Sequence, residues 1–192
     1  MKLGIIGGAF DPVHYGHLTL GSNVMKKLFL DEVWLMPCYN HVFGKNIESF
    51  YHRYRMIELA LDDINESRMK ASNYEGRRGG ASYTIDTVKG LLKENPNFEI
   101  YWIVGSDIIE TLNKWKEPNE LVKIAKLVIA PRSGKAPSYF PENSIFLKDS
   151  RTQDFSSTEI KKLLKEGKSI EGFTTKSVIG YIKENNLYSG MK

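Results

Sequence analysis

Six short apolar runs, separated by amphipathic or irregular stretches, constrain this 192-residue chain more than any other feature. They are Lys2–Ile6, Glu32–Pro37, Arg68–Ser72, Glu99–Val104, Lys126–Ala130 and Ser144–Leu147, each of strand length and bounded by turn or charged residues. Helices are expected near His17–Phe29, Phe50–Ile64, Thr84–Glu94, Ile108–Trp115 and Glu120–Ala125, with Ser157–Glu166 and Lys176–Asn185 closing the chain. Regular alternation of this kind predicts an α/β fold, a Rossmann-like, doubly wound parallel sheet with right-handed crossovers. Ligands of such sheets lie outside the carboxyl ends of the strands. A single domain over 1–192 is expected, with a small helical part from about 157 and no internal repeat or linker. The long irregular segments Cys38–Ser49 and Pro131–Asn143 are candidate substrate covers.

Composition narrows the class. Hydrophobic residues at 41% and charged ones at 26% make a globular balance, and no apolar run is long enough to span a membrane. Met1 to Gly4 enters a strand without the hydrophobic core of a signal peptide. The single cysteine, Cys38, excludes an internal disulfide and suits a reducing cytoplasm. A net charge of +4 favours anionic ligands but is too mild to call for nucleic acid. Oligomeric state, homo-oligomer included, stays open at this point.

The first strand runs into Gly7-Gly8-Ala9-Phe10-Asp11-Pro12-Val13-His14-Tyr15-Gly16-His17. Glycines let a backbone turn sharply and approach a ligand closely, and Pro12 stiffens the exit. His14 and His17, three apart around a helix start, can face one side together, where a helix N-terminus offers free N–H groups to phosphate. The run describes a polyphosphate cradle with two imidazole donors, against the plainer reading of a tight turn. It is neither a P-loop, which needs G-x-x-x-x-G-K-[ST], nor the dinucleotide G-x-G-x-x-G, since Ala9 and Pro12 stand where glycines would. Two histidines without a third nitrogen or sulfur ligand nearby do not make a zinc site.

This run resembles the signature of the nucleotidyltransferase superfamily named after its His-x-Gly-His motif. Within it the match is to the nicotinate/nicotinamide mononucleotide adenylyltransferases, whose pattern is G-[GS]-[AST]-F-[DN]-P-x-H-x-G-H. The phosphopantetheine branch usually has Thr where this chain has His14. Near the other end, Phe155-Ser156-Ser157-Thr158-Glu159-Ile160-Lys161 resembles the family's I-S-S-T-x-[IL]-R, with Phe155 for Ile and Lys161 for Arg. The resemblance implies ATP-phosphate contacts from Ser156, Ser157, Thr158 and Lys161, although Ser-Ser-Thr before a helix is also an ordinary cap and lysine lacks the arginine fork. Arg78 to Thr87 resembles R-x-G-x-S-Y-T-x-D-T, which implies that Tyr83 and Thr84 stand beside a pyridine pocket. Gly105-Ser106-Asp107 with Trp115 resembles G-x-D-x-x-x-x-L-x-x-W, implying that Asp107 meets ribose hydroxyls and Trp115 stacks on the pyridine; a core role is the alternative for the tryptophan. Acid or amide recognition would involve backbone N–H groups around Thr84 and Lys116. The family's N-P-P-H-K and R-x-x-M have only a broken counterpart here, from which Lys45 and Arg53 emerge as phosphate-neutralising candidates or as solvated surface charges.

The activity so implied is transfer of AMP from ATP to nicotinate mononucleotide, with the amide also open. A 5′-phosphate oxygen attacks the α-phosphorus and pyrophosphate leaves. That nucleophile is already anionic, so catalysis reduces to positioning and charge neutralisation. His14 and His17 would act on the triphosphate, with the Gly7, Gly8, Ala9 and Phe10 backbone beside them and Mg²⁺ bridging phosphate oxygens. The alternatives are a transferase of the same superfamily acting on phosphopantetheine or another phosphate, and a nucleotide-binding domain without catalysis.

Overall fold

The computed structural model describes residues 1–42, 44, 46–131, 138–148 and 155–189. Six parallel strands form one sheet: β1 (Lys2–Gly8), β2 (Glu32–Pro37), β3 (Met69–Ala71), β4 (Glu99–Gly105), β5 (Lys126–Ala130) and β6 (Ser144–Phe146), in the order β3-β2-β1-β4-β5-β6. This is the doubly wound order, and its switch point lies between β1 and β4, where Ile6 pairs with Ile103. The helices are α1 (Tyr15–Lys27), α2 (Phe50–Ile64), α3 (Tyr74–Arg78), α4 (Thr84–Glu94), α5 (Ser106–Ile109), α6 (Pro118–Ile124), α7 (Ser157–Lys165) and α8 (Lys176–Glu184).

The central strands are continuous apolar runs because helices cover both faces. Ile6, Leu35 and Ile103 pack into one buried cluster with α1, α2 and α8, while Leu3, Ile5, Trp102 and Ile129 pack into the other with α4 and α6. In α2 the buried positions Arg53, Met56, Ile57, Ala60 and Leu61 follow the helical period directly. Helices α7 and α8 belong to the first cluster through Ile160, Val178 and Ile182. None of the described helices is long and apolar enough to cross a membrane.

Three local departures from the sequence expectations have physical causes. The expected helix Ile108–Trp115 is two pieces, α5 and a 3₁₀ turn over Leu112–Lys114. Both the amide and the hydroxyl of Thr111 donate to the Ile108 carbonyl at 3.0 Å, which closes a tight turn in place of a continuing helix. Helix α3 is unforeseen, being only five residues with Gly76 inside it, too short to show a period; a Cβ at Gly76 would overlap the Phe50 ring. The sharp turn after β1 does not rest on Gly7 and Gly8, which belong to the strand. Gly7 is required because a Cβ there would come within 2.6 Å of the Trp102 ring. The left-handed residue is Phe10, at φ 50°, its side chain buried.

Candidate active site

A cleft of about 930 Å³ opens at the carboxyl ends of β1, β2, β4 and β5. Gly7, Gly8, Ala9, His14 and His17 form one wall with Ser156; Tyr83, Thr84, Trp115 and Lys116 form another; Cys38, His41 and Glu75 line it from the β2 side. The sequence motifs, scattered over 150 residues, thus converge on the switch point of the sheet.

His14 is the N-cap of α1 and His17 its third residue. Their rings stack with centroids 3.7 Å apart and planes 27° from parallel, and Phe10 backs His17 at 4.7 Å. The His14 backbone N–H donates to His17 Nδ1 at 3.3 Å. An Nδ1 that accepts leaves the neutral ring's proton on Nε2. In the first turn of α1, Tyr15 N–H donates to the Phe173 carbonyl and His17 N–H to the His14 carbonyl, both at 2.9 Å.

The C-terminal motif divides its side chains among different tasks. Ser156 is the N-cap of α7, its Oγ accepting from Glu159 N–H at 3.1 Å, and it lines the cleft. Ser157 instead donates its hydroxyl to the Pro12 carbonyl at 2.9 Å. Thr158 is exposed and does not line the cleft. Lys161 Nζ pairs with the Asp11 carboxylate at 2.6 Å. Of the three hydroxyl residues expected around a phosphate, therefore, only Ser156 borders the cavity, while Ser157 and Lys161 fasten α7 to the turn that carries the histidines.

Asp11 is the hub of that seam and had no role assigned from sequence. It is 1% exposed, and besides Lys161 it accepts from Tyr188 Oη at 2.9 Å and Glu48 N–H at 3.1 Å. Burial first, then the Asp11 charge, pushes the Tyr188 hydroxyl far above the ordinary tyrosine range.

Arg53 corrects the sequence reading. It is not a surface or phosphate-facing cation: 1% exposed, it donates to the carbonyls of Glu48, Ala9 and Cys38 at 2.8, 2.7 and 2.7 Å. Three of its five N–H groups are taken by backbone carbonyls, so the buried guanidinium clamps the β1 and β2 ends together. Lys45 lies outside the described residues. Phe10 is buried and does not line the cleft; its ring packs against His17. Asp107 is exposed on α5 and does not line the cleft, although its neighbours Gly105 and Ile108 do. Lys116 is held by both oxygens of Asp86, at 2.8 and 2.9 Å, and lies 5.2 Å over the Tyr83 ring.

Cys38 and Glu75, also missed, line the β2 side. Burial raises the Cys38 thiol above its usual range, with Arg53 pulling down and Glu75 adding to the rise, so it stands as a protonated, unreactive wall. The described residues of the Cys38–Ser49 segment are tied down: Tyr39 N–H donates to Ser82 Oγ at 2.8 Å, and Asn40 bridges to Ala81. Among the described residues no group of three or more His, Cys, Asp or Glu side chains is placed to hold a metal ion.

Comparison with known proteins falls in line with this geometry. The profile of the cytidylyltransferase-like family matches residues 5–163. The probable nicotinate-nucleotide adenylyltransferase of Methylacidiphilum infernorum is 35% identical over 189 residues, covering 97% of this chain and 92% of that protein. Its namesake from Clostridium botulinum is 34% identical over 199 residues, covering 97% and 98%. The chain belongs to the nicotinate-nucleotide adenylyltransferase family. A solved Plasmodium falciparum nicotinic acid mononucleotide adenylyltransferase complexed with NaAD superposes with a TM-score of 0.85 at 25% identity, over 97% of each chain. The chain's two departures from the adenylyltransferase motif both have partners in the structure. Phe155 packs against Phe173 with ring centroids 4.9 Å apart, and Lys161 pairs with Asp11.

Proposed function

We propose that this chain transfers AMP from ATP to nicotinate mononucleotide, releasing pyrophosphate and forming the dinucleotide used in NAD biosynthesis. The observation that carries the reading is the stacked His14–His17 pair, backed by Phe10, in the same cleft as Trp115 and the first turn of α4. One end of the cavity is built from nitrogen donors suited to phosphates, the other from an indole suited to an electron-poor ring.

ATP enters with its phosphates against the Gly7–Ala9 backbone, the first turn of α1, and Ser156 at the start of α7. The mononucleotide places its pyridine against Trp115 between Tyr83 and Thr84. A 5′-phosphate oxygen forms a new bond to the α-phosphorus in line with the departing β-phosphate, whose bridging bond breaks. The His17 Nε2 proton and the helix N-termini meet the charge that spreads over the phosphoryl oxygens. No side chain becomes covalently linked, and no strong base is required. Mg²⁺ is carried in with ATP and supplies charge neutralisation on the phosphate oxygens. A cleft lined by imidazoles and backbone N–H groups suits an ion that takes few protein ligands. We place the reaction in the cytoplasm, where Cys38 remains a thiol.

The test is pyrophosphate release with ATP and Mg²⁺, offering nicotinate mononucleotide, nicotinamide mononucleotide and phosphopantetheine in parallel. Turnover with a pyridine nucleotide and silence with phosphopantetheine is the expected result. Turnover with phosphopantetheine alone would overturn the substrate assignment, and silence with all three would overturn the catalytic reading.

A further inference from the structure

Trp115, Lys116 and Glu117 form the turn between the 3₁₀ residues Leu112–Lys114 and α6, and this turn sets the indole in the cleft. Its own backbone does little to hold it. Glu117 stands in the left-handed region at φ 48°, a conformation that a residue with a Cβ reaches only at a cost, and its side chain makes no cap for α6. The N–H groups of Lys114 and Trp115 donate to the Thr111 and Leu112 carbonyls, bonds that stay within the stretch itself.

Among the described residues, every hydrogen bond that joins the turn to α4 passes through two ion pairs. Lys116 donates to both Asp86 oxygens at 2.8 and 2.9 Å, and Lys89 donates to Glu117 at 2.6 Å. Asp86 and Lys89 are three residues apart and share one face of α4, while Lys116 and Glu117 are neighbours. The charges run acid then base on the helix and base then acid on the turn. A slip that crossed the partners would set Asp86 against Glu117 and Lys89 against Lys116, so the wrong register is disfavoured. Elsewhere Ile85, Val88 and Leu121 join α4 and α6 in one buried cluster. The four charged side chains are 36–47% exposed; such pairs add little to overall stability but bias where a turn rests. Asp86, Lys89 and Glu117 do not line the cleft, so they act on a ligand through what they hold.

We propose that Asp86 and Lys89 are positioning residues for the adenylyl transfer: through Lys116 and Glu117 they fix the turn that carries Trp115, so that the indole already stands where the pyridine ring stacks. The inference rests on the proposed stacking of the mononucleotide on Trp115. It concerns where that ring stands, not which pyridine is chosen. Its test is kcat and KM for ATP and for nicotinate mononucleotide in the wild type, Asp86→Asn, Lys89→Glu, and Lys89→Glu combined with Glu117→Lys, which restores the second pair with its charges exchanged. Asp86→Asn and Lys89→Glu are each expected to raise the mononucleotide KM by about three- to fivefold, the scale of an exposed ion pair, with kcat and the ATP KM within about twofold. The exchanged pair is expected to bring the mononucleotide KM back to within about twofold of the wild type. In a Trp115→Ala background, Asp86→Asn is expected to change that KM no further, because the ring it positions is gone. A mononucleotide KM unmoved in both single variants, an equal rise in the ATP KM, no recovery in the exchanged pair, or a full effect without Trp115 overturns the proposal while wild-type turnover keeps the adenylyl-transfer reading intact. A wild type that releases no pyrophosphate with a pyridine mononucleotide would end both.

Discussion

The His17 ring is stacked on His14 and packed against Phe10, and its Nδ1 accepts from the His14 backbone N–H. It can neither rotate away nor exchange tautomer without losing a contact, which is what preorganises an Nε2 donor. His17→Ala is expected to lower kcat by about 10²–10³ with KM values little changed, the scale of one donor aimed at developing charge; steady-state kinetics on folded protein checks this. Arg53 makes the opposite case, a charge whose work is structural. Arg53→Met would orphan the carbonyls of Glu48, Ala9 and Cys38 and is expected to cost at least about 3 kcal/mol in urea unfolding. A surface phosphate-binding arginine would instead raise a substrate KM and leave unfolding unmoved. Trp115 is decided by kinetics too. A stacking partner for the pyridine predicts that Trp115→Ala raises the mononucleotide KM far more than the ATP KM, whereas a purely structural ring would change both alike.

Among elements, α7 is the one whose position the site depends on most, because its first turn must face α1 although some 140 residues separate them. Ser157 to Pro12, Lys161 to Asp11 and Thr174 to Val13 hold that register. Asp11→Ala removes the buried half of the ion pair and the acceptor of Tyr188. It is expected to destabilise by about 3 kcal/mol or more and to raise the ATP KM more than the mononucleotide KM; a change in stability alone would show that the seam does not set the phosphate end. This register was not legible in the sequence. The six strands and the long helices were, because each carries its own period and its own boundary residues, and the parallel, doubly wound sheet followed from their alternation. The histidine turn was legible as well, its motif being contiguous. What escaped was whatever depends on a distant partner: that Arg53 faces three carbonyls, that Asp11 is a hub, that a five-residue helix sets Glu75 in the cleft wall, and that Thr111 breaks the stretch after β4.

The whole molecule closes its site by bringing both ends of the chain to one turn. Tyr15 N–H meets the Phe173 carbonyl at 2.9 Å, Ser177 is held by Asp63 at 2.7 Å, and Tyr181 meets His52 at 2.8 Å, so the helices after residue 157 are fastened along α2 as well as at the cradle. Tyr188 completes the closure, 2% exposed with its hydroxyl on Asp11. Its buried hydroxyl resists ionisation in the folded state, whereas the unfolded chain ionises it near pH 10. Above that pH the unfolded state binds fewer protons than the folded one, so stability declines as pH rises; below it the contribution is fully present. Each such group adds a slope of up to about 1.4 kcal/mol per pH unit. Tyr74 and Tyr101, also raised chiefly by burial, add to the same alkaline loss. Tyr188→Phe is expected to lower stability at pH 8 by about 1 kcal/mol for the lost hydrogen bond, yet to flatten the decline between pH 10 and 11. Urea unfolding at pH 8, 10 and 11 compares the two proteins, and an unchanged alkaline slope in the variant would mean that the C-terminal segment is not locked to Asp11 in solution.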